Sequence, residues 1–429
     1  MSQFVIEGGK QLEGTISVNG SKNAALPLLA ATLLTKEKVT LSRIPRIVDV
    51  VNLIKILGSL GAEVDHDGNS IAIASRDIDQ DKLPVEMVGK LRGSVLLMGA
   101  LLGRDRRVVL PQPGGDIIGA RPIDVHLDGF EQLGAKVDRN GDELIVDGAS
   151  MKAGKVVLRE FSVTATENLM LVAAKLPGTT TIHIAATEPH VVSLGNLLTT
   201  MGAKVSGAGT HIITIEGAEQ LKGASFENIP DMLEAGFFIL LGAATKSNLT
   251  IENVPVDDLP LFFKKLDDIG VNYMISGSTV QVQPSELKAF KVQTMPQPGI
   301  ATDLQAPFAV MATQVAGASL IHDPMYESRF RHCDELTKMG AAVTVCDPHR
   351  VIIEGPTPLH GRDIPSLDIR SGATLIMAGL VASGSTVISQ AEIIDRGYEN
   401  LDGRLRDIGA EITRVEEVTV SEDLNTKSA

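Results

Sequence analysis

Leu133-Gly134-Ala135, followed by Lys136-Val137-Asp138, is a hydrophobic-Gly-small triplet that closes a helical stretch and opens a strand. The same triplet stands at Leu60-Gly61-Ala62, Met201-Gly202-Ala203, Ile269-Gly270-Val271, Met339-Gly340-Ala341 and Ile408-Gly409-Ala410. The spacing, roughly 70 residues, is that of repeated supersecondary units. Each Gly suits the left-handed residue just past a helix C-terminus. A second landmark keeps phase with the first: a long apolar helix, a short polar turn, then a β-branched strand. The pairs are 26–34 before 39–41, 95–102 before 107–110, 169–174 before 179–184, 237–244 before 248–251, 308–315 before 318–321 and 374–381 before 385–388. Helices apolar nearly all round belong in an interior. Six such units fit two α/β domains of three copies each.

Composition narrows the function. A chain of 429 residues is too long for one compact core. Aromatic residues make up 3% and Trp is absent, so the cores are aliphatic. The net charge of −14 argues against nucleic acid as a partner. It leaves room for a small anionic substrate held by local basic residues. Cys333 and Cys346 offer neither metal spacing nor a disulfide framework, and no metal or cofactor is expected. Met1 to Lys10 lacks a signal-like pattern, and the apolar run 24–34 is too short to span a bilayer. The expectation is a soluble cytoplasmic protein, a monomer or weak oligomer, with the polar tail Ser421–Ala429 disordered.

The residues just before the six apolar helices form polar clusters: 21–23, 91–94, 162–164, 231–234, 302–305 and 368–371. Helix N-termini carry partial positive charge and free N–H groups, so ends converging between two domains would attract an anion. Ser21, Ser94, Thr302 and Asp368 fit simple N-caps. Capping does not require Lys22, Arg92 or Arg370, because cations oppose the dipole there; three such cations point to a bound anion. A loop rich in breakers, 111–125, adds Asp116, Arg121 and Asp124 and reads as a lid.

Several of these segments carry a resemblance. Residues 19–27 (Asn19-Gly20-Ser21-Lys22-Asn23-Ala24-Ala25-Leu26-Pro27), 113–124, 302–306, 327–330 and 395–399 resemble the signatures of the UDP-N-acetylglucosamine 1-carboxyvinyltransferases, in order and over the chain to about Val415. The related shikimate-pathway transferase, EPSP synthase, opens instead with lysine-serine. The resemblance implies two inside-out α/β barrel domains of three βαβαββ-type units each, the EPSP synthase-like fold, joined by a double hinge. One domain would be 22–229, the other 1–21 with 230–429.

It also implies a reaction: transfer of the enolpyruvyl group of phosphoenolpyruvate to the 3′-hydroxyl of UDP-N-acetylglucosamine, with release of phosphate, the first committed step of peptidoglycan synthesis. By resemblance, Lys22, Arg121 and Arg396 would hold the phosphate, and Arg329 and Arg370 the carboxylate, with Arg92 and Asn23 beside them. Arg is the residue suited to gripping a planar carboxylate. Protonation of the vinyl methylene with attack by a sugar hydroxyl calls for an acid and a base. Asp303 would be the base. The nucleotide sugar would meet Asn23, Arg92, Arg121, Pro122, Ile123, Asp124, Val125, Ser162, Val163, Thr164, Asp303 and Met325.

One departure is informative. Most of the family carries Cys after the Gly-Gly of the loop, where this chain has Asp116. A carboxylic acid can also donate the proton if burial or the substrate's charge keeps it neutral. No thioether adduct is then expected, nor sensitivity to fosfomycin, which alkylates that Cys. Glu160, Val48 and Met232 stand where basic residues are common near the diphosphate, with Arg46 close by. His126 reads equally as an orienting or a structural histidine. Transfer to another uridine nucleotide or to shikimate 3-phosphate, and a non-catalytic scaffold of the same shape, remain open; Lys22, Asp303 and the 121–125 segment favour the nucleotide-sugar reaction.

Overall fold

All six triplet glycines have positive φ, from 86° at Gly270 to 114° at Gly202. A residue with Cβ is strained there, so each Gly ends its helix and turns the chain into the next strand. The computed structural model describes residues 2–111, 114, 122–141 and 143–416. The lid candidates Asp116 and Arg121, and the tail 421–429, lie outside the described residues.

The six apolar stretches form the helices Lys22–Ala31, Leu96–Asp105, Val163–Ala173, Met232–Ala244, Gln305–Thr313 and Ile369–Val381. They are buried almost all round, since no polar side is left to face water. Each leads into its strand: Lys38–Ser42, Arg107–Pro111, Gly178–His183, Asn248–Glu252, Gly317–His322 and Ser385–Ser389. A second helix and two further strands complete each unit. The sheets lie outside and the apolar helices inside, which inverts the usual α/β barrel.

The apolar side chains form two separate cores. One gathers residues between Ala24 and Leu221; the other gathers residues from Phe4 to Val18 and from Leu233 to Ile412. The chain closes each lobe on itself. Ser225–Glu227 pairs in parallel with Thr40–Ser42, joining the end of the first lobe to its start. The N-terminal strands serve the second lobe, Ser2–Glu7 lying between Ser385–Ser389 and Glu411–Glu416, and Glu13–Ser17 pairing with Asn248–Glu252. The first lobe's middle sheet has three strands among the described residues; the other five sheets have four.

Two chain crossings join the lobes side by side. Ser21 N–H donates to the Ile229 carbonyl at 2.7 Å and Asp231 N–H to the Asn19 carbonyl at 2.9 Å. The Asn228 amide adds a bond to the Ser21 carbonyl at 3.0 Å. Lys22 and Asp231 thus open the first helix of either lobe from one point, and the cleft starts there.

Candidate active site

Four apolar helices begin with a side-chain cap, and those caps sit at the cleft. Ser21 Oγ accepts from Ala24 N–H and Ser162 Oγ from Ala165 N–H. Asp231 accepts from Leu233 and Glu234 N–H, and Asp368 from Arg370 and Ser371 N–H. Two expected caps are corrected. Ser94 is in a 3-10 turn and its hydroxyl donates back to the Val88 and Leu91 carbonyls. Thr302 likewise starts a 3-10 turn and gives its hydroxyl to Asp323. In both units the α-helix starts only after the 3-10 turn, at Leu96 and at Gln305, and not directly after the expected cap.

Between the lobes is a cavity of about 690 Å³, within the range of small-molecule sites. Lys22, Asn23, Arg92, Pro122, Ser162, Val163 and Thr164 line it from the first lobe. Asp303, Met325, Arg329, Arg370 and Arg396 line it from the second. Ile123 and Val125 do not; their side chains are buried in the first core. Asp124 turns outward, 3.8 Å from Arg139. Glu160 and Met232 line the cavity, whereas Val48 is exposed elsewhere and Arg46 reaches the second lobe through its backbone N–H to Glu399 at 2.8 Å. Cys333 is buried and Cys346 exposed, and neither lines the cavity.

The cations at the helix ends have protein partners. Lys22 Nζ lies 2.7 Å from Asp49 Oδ2, while Arg396 reaches Asp49 Oδ1 with Nε at 2.9 Å. Asp49, from the helix Val48–Ser59, thereby draws one cation from each lobe to a single point. Arg329 and Arg370 both pair with Asp303, the latter through Nε at 3.1 Å. So Lys22 and Arg370 are compensated by carboxylates, and their position alone does not demand an anion. Arg329 Nε and Arg370 Nη1, however, are buried donors without a hydrogen-bond partner, an arrangement that is costly unless an acceptor arrives.

Tyrosines orient both arginines. Arg329 stacks over the Tyr326 ring at 5.4 Å and Arg370 over Tyr398 at 5.1 Å. Burial raises the Asp303 carboxyl, but the two guanidiniums overcome that and hold it at about 2. Asp303 is therefore a carboxylate at any physiological pH.

His126 ties the first wall together. Asn168 Nδ2 donates to His126 Nδ1 at 2.9 Å, which assigns the imidazole proton to Nε2, facing Thr164 Oγ1 at 3.2 Å. Burial, and then the charge of Arg92, push this histidine down to about 3, so it is neutral. It holds Thr164 in place at the cavity wall. The reading of the sequence missed Asp49, Tyr326, Glu167, Glu188 and His190, all lining the cavity. Tyr326 abuts the 327–330 segment, but the other four stand outside the quoted segments, and only the fold brings them to one place.

The family model for EPSP synthase (3-phosphoshikimate 1-carboxyvinyltransferase) matches residues 6–405. The UDP-N-acetylglucosamine 1-carboxyvinyltransferase of Halothermothrix orenii is 42% identical over 417 residues, covering 97% of this chain and all of the relative. UDP-N-acetylglucosamine 1-carboxyvinyltransferase 2 of Streptococcus mutans is 40% identical over 420 residues, with the same coverage. The crystal structure of the enolpyruvyl transferase NikO from Streptomyces tendae superimposes with a TM-score of 0.88 at 25% identity, over 96% of this chain and 99% of that one. An EPSP synthase from Acinetobacter baumannii, 19% identical with a TM-score of 0.74, covers 97% of this chain and 100% of its own and shares the fold.

Proposed function

The chain belongs to the EPSP synthase (3-phosphoshikimate 1-carboxyvinyltransferase) family, and from that premise we propose that it transfers the enolpyruvyl group of phosphoenolpyruvate to the 3′-hydroxyl of UDP-N-acetylglucosamine, releasing phosphate for peptidoglycan synthesis. The observation that carries this reading is Asp303 gripped by two tyrosine-stacked arginines, each with one buried donor, Arg329 Nε and Arg370 Nη1, left unpartnered. A carboxylate beside that pair would take the free donors, so Arg329 and Arg370 hold the carboxylate of phosphoenolpyruvate. Lys22 and Arg396, drawn together by Asp49, hold its phosphate with Arg121. Asn23 and Arg92 stand between the two substrates.

Asp303 then has one free role. Ionised throughout, it accepts the proton of the 3′-hydroxyl as the oxygen attacks the vinyl carbon. Asp116 gives a proton to the methylene, and the resulting tetrahedral ketal then loses phosphate from C2 while the ionised Asp116 takes back one methyl proton, which restores the vinyl group. The uridine lies along Pro122, Ser162, Val163 and Thr164, with 123–125 contributing backbone, and Met325 closes over the sugar. The reading takes 22–229 and 1–21 with 230–429 as the two domains. It places the protein in the cytoplasm as a monomer or weak oligomer. No helix among the described residues is long and apolar enough to cross a membrane.

The test is phosphate release from phosphoenolpyruvate with and without UDP-N-acetylglucosamine, in wild type, Asp116→Ala and Asp116→Cys. The expected result is acceptor-dependent release that Asp116→Ala loses and Asp116→Cys keeps. Wild type should survive stoichiometric fosfomycin, and Asp116→Cys should be inactivated by it. Release only with a different acceptor would replace the substrate; no release with any acceptor would replace the reaction.

A further inference from the structure

Two carboxyl groups in the first-lobe wall of the cavity have no part in the chemistry above. Glu167 lies on the helix Val163–Ala173, one turn beyond Val163 and Thr164. It is 1% exposed, lines the cavity, and its Oε1 has no hydrogen-bond partner. Glu188 precedes the helix Pro189–Thr200 and also lines the cavity, with Oε2 buried and unpartnered. Its neighbour Thr187 donates across the cleft to the Gln297 carbonyl at 2.6 Å, so Glu188 stands where the lobes touch. His190, next along the wall, is within electrostatic reach of Glu188, Asp231 and the proposed base Asp303.

We propose that Glu167 and Glu188 receive hydroxyl groups of the acceptor sugar other than the reacting one, and so decide which acceptor the enzyme takes. The proposal rests on the sugar-nucleotide reading above. Buried acceptor oxygens without partners are expensive, and a ligand that supplies O–H donors removes that expense. Burial, and then Glu188, raise the Glu167 carboxyl well above its usual range. The two carboxyl groups offer acceptor oxygens to a hydroxyl O–H. They supply no cation for a phosphate or carboxylate, which disfavours an acceptor with an anionic ring substituent. A site built to bond a hydroxyl discriminates strongly against an analogue lacking it.

The experiment compares wild type with Glu188→Gln, Glu167→Gln and Glu167→Leu. The acceptors are UDP-N-acetylglucosamine and its 4-deoxy and 6-deoxy sugar analogues, followed by phosphate release. UDP and UDP-N-acetylglucosamine are also titrated by calorimetry. Wild type should lose roughly ten- to hundred-fold in kcat/KM with at least one deoxy analogue, the cost of leaving one buried acceptor unpaired. Glu188→Gln and Glu167→Leu should lose a similar factor with the parent sugar, no longer discriminate against that analogue, and bind UDP as wild type does. Glu167→Gln, which mimics the protonated acid, should retain most of the parent activity. Unchanged discrimination in Glu188→Gln and Glu167→Leu, or equal losses for UDP and UDP-N-acetylglucosamine, would overturn the proposal. A wild type with no acceptor-dependent release would instead overturn the reaction, and the calorimetric contrast between UDP and UDP-N-acetylglucosamine would still test the pair.

Discussion

Asp303 shows how a residue's role depends on its neighbours. Its carboxyl is held at about 2 by Arg329 and Arg370, against a burial effect of the opposite sign. Asp303→Asn should lower kcat by roughly 10²–10⁴-fold, the range for losing a general base, with a much smaller change in KM for the sugar nucleotide. A variant with near-normal kcat would assign the base elsewhere. His126 makes a second prediction at this scale. It is held near 3 and His332 near 4, each chiefly by burial. Below about pH 6.5 the unfolded histidine binds a proton that the folded one refuses, so each destabilises the fold as pH falls toward 3 to 4. Each contributes on the order of 1.4 kcal/mol per pH unit in that window. In urea unfolding from pH 7.5 to 5, His126→Gln should start less stable, having lost the Asn168 and Thr164 contacts, but decline less steeply than wild type. Parallel declines would remove His126 from the account.

At the scale of elements, the inner helices work because they approach closely. Gly99, on Leu96–Asp105, gives its N–H to Asn168 Oδ1 at 2.6 Å, and a Cβ there would sit 2.4 Å from the Asn168 carbonyl oxygen. Gly99→Ala must push Leu96–Asp105 from Val163–Ala173. The expected loss is about 1–3 kcal/mol of stability, as for other overpacked cores. Because Asn168 also holds His126, and His126 holds Thr164, the same change should weaken sugar-nucleotide binding. Thermal melts and UDP titrations check both, and a stable variant with weak binding would show that the hydrogen-bond chain matters apart from packing. This tight crossing was not legible beforehand. The apolar character of both helices was, but Gly99 sits in an apolar run where nothing distinguishes it from a filler.

At the scale of the molecule, the cavity is made by two lobes that, among the described residues, meet at few points: the hinge, Asp49 with Arg396, Arg46 with Glu399, and Thr187 with Gln297. Interfaces this sparse favour relative motion. Adding UDP-N-acetylglucosamine should reduce the radius of gyration in small-angle scattering, since the ligand contacts both walls. Asp49→Ala, which leaves Lys22 and Arg396 without their shared partner, should diminish that change and raise KM for phosphoenolpyruvate. Scattering unchanged by ligand in wild type would argue for a cleft that does not close.

The six-fold repeat, the buried helices and the glycine turns were legible in the amino-acid sequence because each is local: a periodicity, an apolar run, a residue that tolerates positive φ. The candidate residues Lys22, Asp303, Arg329, Arg370 and Arg396 were also legible, through the motifs around them. What tertiary structure alone decided is who meets whom. Arg329 and Arg370 turn to Asp303, Asp49 gathers Lys22 and Arg396, and Glu167 comes beside Glu188 from another helix of its lobe. These contacts join residues far apart in the chain, and their energies depend on burial and on charges contributed by other units. Sequence spacing carries neither quantity, so the elements were readable one unit at a time while the site exists only where six units converge.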